Sequence, residues 1–425
     1  MVVSFFVVGF GSHAFAQNND KLVVLETNLG VIVMEFFPDD APNHVDNFIG
    51  LVESGFYDGT LFHRIIPGFM IQGGDPNTID GDPSTWGLGG DDLIDSEYNT
   101  IKHKRGIVSM ARASHIDSAG SQFFIVHKDK PNQPGLSDWT NLDELYTVFG
   151  RIVTEESFNT LDKIAAVETT RDTPNDIEQV RIIKTEVVNR SEISNLLELT
   201  EPERIVYDFE VTEYVEYQNE EFQFVMSHPI NWFIQEKQNP NDPVVYLNGQ
   251  KAGLMSSIIN IIIEEKGQKS FEDKINEYDT FFQKDVDSGK VEFISKEMTE
   301  INGQKAYVTQ RIQELRSPNL IWDGIIKQVV LFDNEKFYVL TYYNDEKYFD
   351  KQLFVFDNLV NSFKILEKTK ETSMAGEENG GCLIATAAFG SEMAPQVQQL
   401  RELRDNTILK TGSGMAFMTS FNQFY

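Results

Sequence analysis

Between Phe62 and Asp75 the chain reads Phe62-His63-Arg64-Ile65-Ile66-Pro67-Gly68-Phe69-Met70-Ile71-Gln72-Gly73-Gly74-Asp75, which sets one guanidinium and one amide among several apolar side chains. In a short extended segment successive side chains take opposite faces. Phe69 and Ile71 are therefore expected to point one way, Met70 and Gln72 the other. Residues of these types can line a shallow groove, greasy at its base, with a few hydrogen-bond donors at its wall. Core packing alone does not call for Arg64 between His63 and Ile65, nor for Gln72 and Gln122 beside aromatics.

Harder chemistries lack their residues. His103, His115 and His127 are spaced twelve apart, without i, i+4 pairs or cysteine partners, so no metal site is expected. Ser109 and Ser121 stand outside any Gly-x-Ser-x-Gly elbow. Gly87-Leu88-Gly89-Gly90 has no Lys-Ser/Thr after it and no strand-to-helix context, which excludes a nucleotide loop. Paired carboxylates abound in so acidic a chain and discriminate nothing.

The run 62–75 closely resembles the signature of cyclophilins, the peptidyl-prolyl cis/trans isomerases. Further stretches agree, in the order that family shows: Ser109-Met110-Ala111-Arg112-Ala113, then Gly120-Ser121-Gln122-Phe123-Phe124-Ile125, Leu142, and Tyr146-Thr147-Val148-Phe149-Gly150-Arg151-Ile152. The resemblance covers roughly residues 21–190. It implies a mainly β fold with some α, a closed eight-stranded antiparallel barrel with two capping helices. It also implies rotation of Xaa-Pro bonds in proline-containing polypeptide clients, with no cofactor. Arg64, Phe69 and Gln72 take the catalytic positions. Met70, Phe124 and Leu142 would hold the proline ring with Phe69, over a floor lined by Ala111. Gln122 would donate, as Gln72 would, to substrate carbonyls, and the Arg112 backbone would pair with the peptide. Tyr146 stands where many cyclophilins carry a rim histidine. Asn141 stands where cyclosporin-sensitive members carry a tryptophan, with Trp139 two positions away, so weak cyclosporin binding is expected.

The elements that must position these residues are partly legible. Residues 23–36 read as two strands around the turn Thr27-Asn28-Leu29-Gly30. Residues 40–54 read as a helix, with Val45, Phe48, Ile49 and Val52 at helical spacing and Gly55 where a C-terminal cap belongs. Residues 75–99 are rich in Gly, Pro and Asp, hence loop, and 177–188 alternate well enough to close the domain as its last strand.

At 425 residues the chain is too long for one ordinary domain. Its 36 Lys and Arg stand against 66 Asp and Glu, a formal charge of −30 that argues against nucleic acid or anionic lipid as a partner. Residues 1–16 read as a secretory signal. The apolar run at 2–10 is too short to span a bilayer, and Ala14-Phe15-Ala16 supplies the cleavage pattern, although no Lys or Arg precedes Lys21. A secreted or envelope location follows, with no integral membrane span. Cys382 is the only cysteine, which excludes an internal disulfide.

The isomerase domain is expected over 17–190, with a polar linker over 191–204. A second domain spans 205–366, with a β-branched strand at 256–264, a helix at 270–287, strands at 305–310, 327–332 and 336–343, and a helix at 349–363. Its opening, Phe222-Gln223-Phe224 followed by His228-Pro229-Ile230-Asn231-Trp232, is similar to the PsbP-like α/β sandwich. A second linker covers 367–381, and 382–425 resemble the CFI-box segment of some prokaryotic surface proteins. Either the second domain or this tail would meet a surface-protein partner. The rival reading is a non-catalytic, proline-peptide-binding cell-surface scaffold. The joint presence of Arg64, Phe69 and Gln72 favours the enzyme.

Overall fold

The computed structural model describes residues 20–90, 92–129, 142–239, 242–317, 320–333 and 335–366. The signal segment 1–16, the pair Trp139 and Asn141, the linker 367–381 and the tail 382–425 lie outside these residues. In the first part of the chain the strands are β1 Lys21–Thr27, β2 Gly30–Phe36, β3 Arg64–Ile66, β4 Met70–Gly73, β5 Ile107–Met110, β6 Phe123–Val126, β7 Val148–Ile152, the short hairpin β8 Thr169–Thr170 and β9 Thr173–Pro174, and β10 Ile182–Asn189. Two helices accompany them, α1 Pro42–Glu53 and α2 Glu155–Ala165.

Eight of these strands form one antiparallel sheet in the order β10-β1-β2-β7-β5-β6-β4-β3. The pleat sends alternate residues to opposite faces. Val23, Leu25, Ile32, Met34, Ile65, Ile71, Phe123 and Ile125 turn inward to one core, with Val45, Phe48, Ile49 and Val52 of α1 against them. Phe48 sits among aromatic rings, with centroids 5.7 Å from Phe36, 5.0 Å from Tyr57, 5.3 Å from Phe123 and 5.2 Å from Phe149.

The helices start where the chain supplies for their free N–H groups. Pro42 opens α1, and Glu97 accepts from the N–H groups of Asn43 (3.0 Å) and His44 (2.9 Å), setting a carboxylate at the positive end of the helix. Thr154 caps α2 by accepting from Ser157 N–H.

The expected closed barrel is corrected to an open one. β3 and β10 are the two edges of the sheet, and their ladders do not meet. β3 is three residues long, ended by the turn at Pro67, while residues 59–62 before it bond outside its ladder. The seam is spanned just outside β3 by the bridge between Leu61 and Arg181, by Phe62 N–H to Val180 O at 3.0 Å, and by Gly59 N–H to Ile182 O and Ile182 N–H to Thr60 O, both at 2.8 Å. Asp58 takes up the Thr185 N–H of the β10 edge at 2.7 Å.

The chain then runs along the first sheet. Leu197 N–H reaches Val153 O, Lys102 N–H reaches Glu203 O, and Arg204 forks onto Asp40 at 2.6 and 2.8 Å. Beyond it come β11 Tyr214–Asn219, β12 Phe224–Pro229, β13 Phe233–Glu236, β14 Val245–Ala252, β15 Met255–Glu265, α3 Phe271–Asp287, β16 Val291–Ile301, β17 Gln304–Ser317, β18 Leu320–Phe332, β19 Lys336–Asp345, α4 Glu346–Ser362 and β20 Lys364–Ile365. Seven strands form an antiparallel sheet in the order β13-β14-β15-β19-β18-β17-β16, and β11-β12-β20 form a smaller one. Tyr338, Leu340 and Tyr342 of β19 face Val355, Phe356 and Leu359 of α4, while Phe337 and Val339 face Phe271 of α3. Helices thus cover both faces of the larger sheet.

Truncating Phe48 to alanine opens a cavity in the first core. Loss of a buried phenylalanine costs about 3–5 kcal/mol, so Phe48→Ala should lower the urea midpoint of unfolding by a matching amount. An unchanged midpoint would contradict the packing described.

Candidate functional site

The outward faces of the same strands build the site. β3 and β4 form a hairpin in which Arg64 lies opposite Gln72. The connection Pro67-Gly68-Phe69 is a tight turn, and Gly68 adopts φ 82°, a conformation costly for other residues. This turn corrects the expected alternation. Phe69 precedes the strand rather than belonging to it, so its ring packs with Met70 on the outer face and not with Ile71 in the core.

Arg64, Phe69, Met70, Gln72, Ala111, Arg112, Phe124, Leu142 and Tyr146 all line one groove of about 360 Å³. Gln122 stands at its end and lines an adjoining cavity of about 370 Å³ together with Gln72, Ala111 and Arg112. Phe124 forms the floor. The His103 ring lies beneath it in parallel, 5.9 Å away at 12°, and Tyr146 meets it edge-on at 5.7 Å.

Polar groups at the groove form a chain with a fixed direction. The Gly89 carbonyl can only accept, so the Gln122 amide turns its nitrogen toward it, at 2.8 Å. Gln122 Oε1 then accepts from Gln72 Nε2 at 3.0 Å, and Gln72 Oε1 accepts a long bond from Arg64 Nη1 at 3.4 Å. Each amide keeps one N–H for a ligand. The Arg64 side chain is 47% exposed and stands 3.7 Å from Asp172. A glycine is required at position 89, where a Cβ would come within 2.4 Å of Asp75 Oδ1. Asp75 is buried and accepts from the N–H groups of Asn77 and Gly87, so the last residue of the 62–75 run folds the Gly-rich loop over the groove.

Arg112 spends its side chain internally. Nε donates to Leu145 O at 2.9 Å, and the guanidinium lies over the Tyr146 ring, 4.5 Å from its centroid. Burial lowers its pKa and Tyr146 opposes that. Its backbone lies just past the last rung of β5, where Ala111 N–H bonds Gln122 O.

The histidines go to separate places. His103 is fully buried, Nδ1 toward Asp143 at 2.9 Å and Nε2 toward Ser109 Oγ at 3.1 Å. Burial lowers its pKa while Asp143 works against that. His127 Nδ1 accepts from the Gly68 N–H at 2.9 Å and so fixes the hairpin turn. Among the described residues no group of His, Cys, Asp or Glu could hold a metal ion.

The structure adds groove residues that sequence reasoning missed: Pro83 and Trp86 on one wall, Arg171 and Asp172 between β8 and β9 on the other. They come from segments without hydrophobic period. Only the positive φ of Arg171 and Asp172 marks that hairpin as unusual, and φ is not written in a sequence.

Residues 22–187 match the family described as cyclophilin type peptidyl-prolyl cis-trans isomerase. The peptidyl-prolyl cis-trans isomerase CYP18-1 of Arabidopsis thaliana is 43% identical over 149 residues, covering 35% of this chain and 84% of that protein. A peptidyl-prolyl cis-trans isomerase of Synechococcus elongatus is 40% identical over 156 residues, covering 35% of this chain and 96% of its own length. A Streptococcus pyogenes protein named "Putative bifunctional phosphatase/peptidyl-prolyl cis-trans isomerase" is 42% identical over 166 residues, but this chain spans only 34% of it. With the groove, its arginine and its paired amides in place, the chain belongs to the cyclophilin-type peptidyl-prolyl cis-trans isomerases.

Proposed function

We propose that the groove rotates Xaa-Pro bonds, with Arg64 as the catalytic cation and Phe69, Met70, Phe124 and Leu142 gripping the ring. The observation that carries this reading is the half-exposed Arg64 guanidinium lining the same open groove as the apolar side chains of Phe69, Met70, Phe124 and Leu142. Rotation about the bond faces about 18–20 kcal/mol, because the amide nitrogen shares its lone pair with the carbonyl. No bond breaks. The enzyme need only favour the twisted state, in which the lone pair localises on nitrogen and becomes a hydrogen-bond acceptor. A cationic donor aimed at that nitrogen acts in the twisted state and not before.

Gln72 and Gln122, each with an N–H to spare, would hold carbonyls of the peptide, and the Arg112 backbone would pair with it. Tyr146 closes the rim. The neighbouring cavity beside Gln122 would take residues flanking the proline.

The sequence at 1–16 supports work outside the cytoplasm, on exported polypeptides, with folding assistance as the outcome. The larger antiparallel sheet with helices on both faces supports the PsbP-like reading of the second domain, which would meet a surface-protein partner. Mapping the mature N-terminus after cell fractionation tests the location. Residues 1–16 intact on a cytosolic protein would overturn it.

A charged hydrogen bond contributes about 1.5–3 kcal/mol, which is roughly ten- to 150-fold in rate. Arg64→Ala should lower kcat/KM for a proline tetrapeptide within that range in a protease-coupled assay, and Arg64→Lys should restore little, since lysine lacks the planar fork. Equal rates for wild type and Arg64→Ala would remove the catalytic claim.

Acid should weaken the fold beneath the groove. Burial lowers the folded-state pKa of His103, so its contribution is complete above the unfolded value near 6.5 and is lost as pH falls through the folded one. The urea midpoint should drop between pH 7 and pH 5, and less steeply in His103→Gln. Identical slopes in the two proteins would refute this assignment.

A further inference from the structure

We propose that the second domain sets the shape of the groove by clamping Glu144, a positioning residue in the turn that carries Leu142 and Tyr146. The proposal rests on the isomerase reading of that groove. Five consecutive residues divide their duties. Leu142 and Tyr146 line the groove. Asp143 holds His103 under the floor. Glu144 and Leu145 turn the other way.

Leu145 packs in an apolar cluster with Ile116 and Tyr98 from its own domain and Leu254, Trp322 and Leu320 from the second. Glu144 is 2% exposed, and its carboxylate is met entirely by donors from beyond the first domain. Tyr348 OH donates to Oε1, Tyr207 OH donates to Oε2, and Gly253 N–H donates to Oε2 at 2.9 Å. Among the described residues no Lys, Arg or His pairs with it. The two tyrosine rings meet edge-on at 5.4 Å. Burial first, then Glu144 itself, pushes both phenols above their ordinary pKa, so they remain donors.

Glu144 also adopts φ 61°, a left-handed conformation that a non-glycine residue keeps only when its surroundings over-determine it. The same turn is closed by bonds from Leu145 and Tyr146 N–H to Leu142 O, at 3.0 and 3.1 Å. A desolvated carboxylate in no direct ion pair, with the Lys347 charge acting on it only at a distance, stays in place while its donors remain. Without them Glu144 must leave for water, and the turn relaxes with Leu142 and Tyr146 on it. Arg112 transmits the change, since it bonds Leu145 O and lies over Tyr146. A second tie holds the adjoining segment: Asp345, which caps α4, accepts from Tyr98 OH and from Leu254 N–H.

The test uses the full chain with Tyr207→Phe and Tyr348→Phe combined, positions outside the groove. KM for a proline tetrapeptide should rise about fivefold or more, in the usual range of coupling between sites, with kcat changing less than about twofold on the same scale. The Kd of the peptide, measured by calorimetry without turnover, should rise in parallel. Glu144→Gln, which keeps an acceptor oxygen, should lose less than Glu144→Ala. Lys327→Ala, which breaks an ion pair with Asp357 elsewhere on the second domain, should leave KM and Kd at wild-type values. A double variant with wild-type KM and Kd overturns the clamp, whether or not its melting temperature falls. If the wild type binds peptide without turning it over and the double variant binds more weakly, the clamp stands and the isomerase reading falls. A wild type that neither binds nor turns over removes both.

Discussion

The two-residue period of the β-strand ties the groove to the core. In β4 and β6, Ile71, Phe123 and Ile125 fill the interior, and Gln72, Phe124 and Val126 stand one position away on the outside. The spacing between Arg64, Gln72 and Phe124 is therefore set by the packing of Ile65, Ile71 and Phe123 behind them. A slip of one residue would exchange the two faces entirely. The aromatic cluster around Phe48 holds that register from inside. No groove residue needs a rigid loop to carry it, except where the chain leaves the sheet.

Those departures are the Gly-rich loop, the β8–β9 hairpin and the turn at 142–146, and each is tied to the sheet by polar bonds and not by a ladder with it. Asp75 organises the first, the Asp172 carbonyl bonds the Ile65 N–H at 2.8 Å to fix the second, and Asp143 with Glu144 fixes the third. Buried polar groups of this kind are costly when unpaired and strongly directional when paired. The amide chain from Gly89 through Gln122 and Gln72 to Arg64 works the same way. A single backbone carbonyl at one end decides which atom every later member presents.

Where regular period governs, the sequence was legible. The α1 stripe of Val45, Phe48, Ile49 and Val52, the β1–β2 hairpin and the α3 helix starting after Ser270 all follow from it. All ten residues assigned to the site from the family resemblance lie at the groove or its adjoining cavity. Other features were hidden for physical reasons. β16, with Val291, Glu292, Phe293, Lys296, Glu297 and Glu300, is an exposed edge strand whose charged residues fall on both faces, so no apolar alternation marks it. β17 and β18 run to 14 and 13 residues, well past the segments read as strands, because their ends pair with each other. The barrel stays open because β3 pairs only with β4 and no ladder joins it to β10, which depends on where the chain turns rather than on pattern. Phe69 was misplaced because the turn at Gly68 ends one strand and starts another inside a run that alternates convincingly.

Solvent governs how strongly the Arg64 cation can act. Arg64 is half exposed, and its contact to Asp172 at 3.7 Å belongs to a class of surface pairs worth about 0–1 kcal/mol. A guanidinium exposed to this degree acts through a high local dielectric, and its field is weak. A proline ring seated on Phe124 and Met70 would cover the inner edge of that guanidinium and displace the water there. The same charge then acts through a lower dielectric, where its interaction with a localised lone pair is several times larger. Occupancy would therefore strengthen the contact proposed for Arg64. It does so only if the ring fits closely enough to exclude water, which makes the exact stance of Leu142 and Tyr146 as consequential as Arg64 itself. A turn gripped by buried hydrogen bonds from Tyr207, Gly253 and Tyr348 holds that stance more tightly than a solvated loop could.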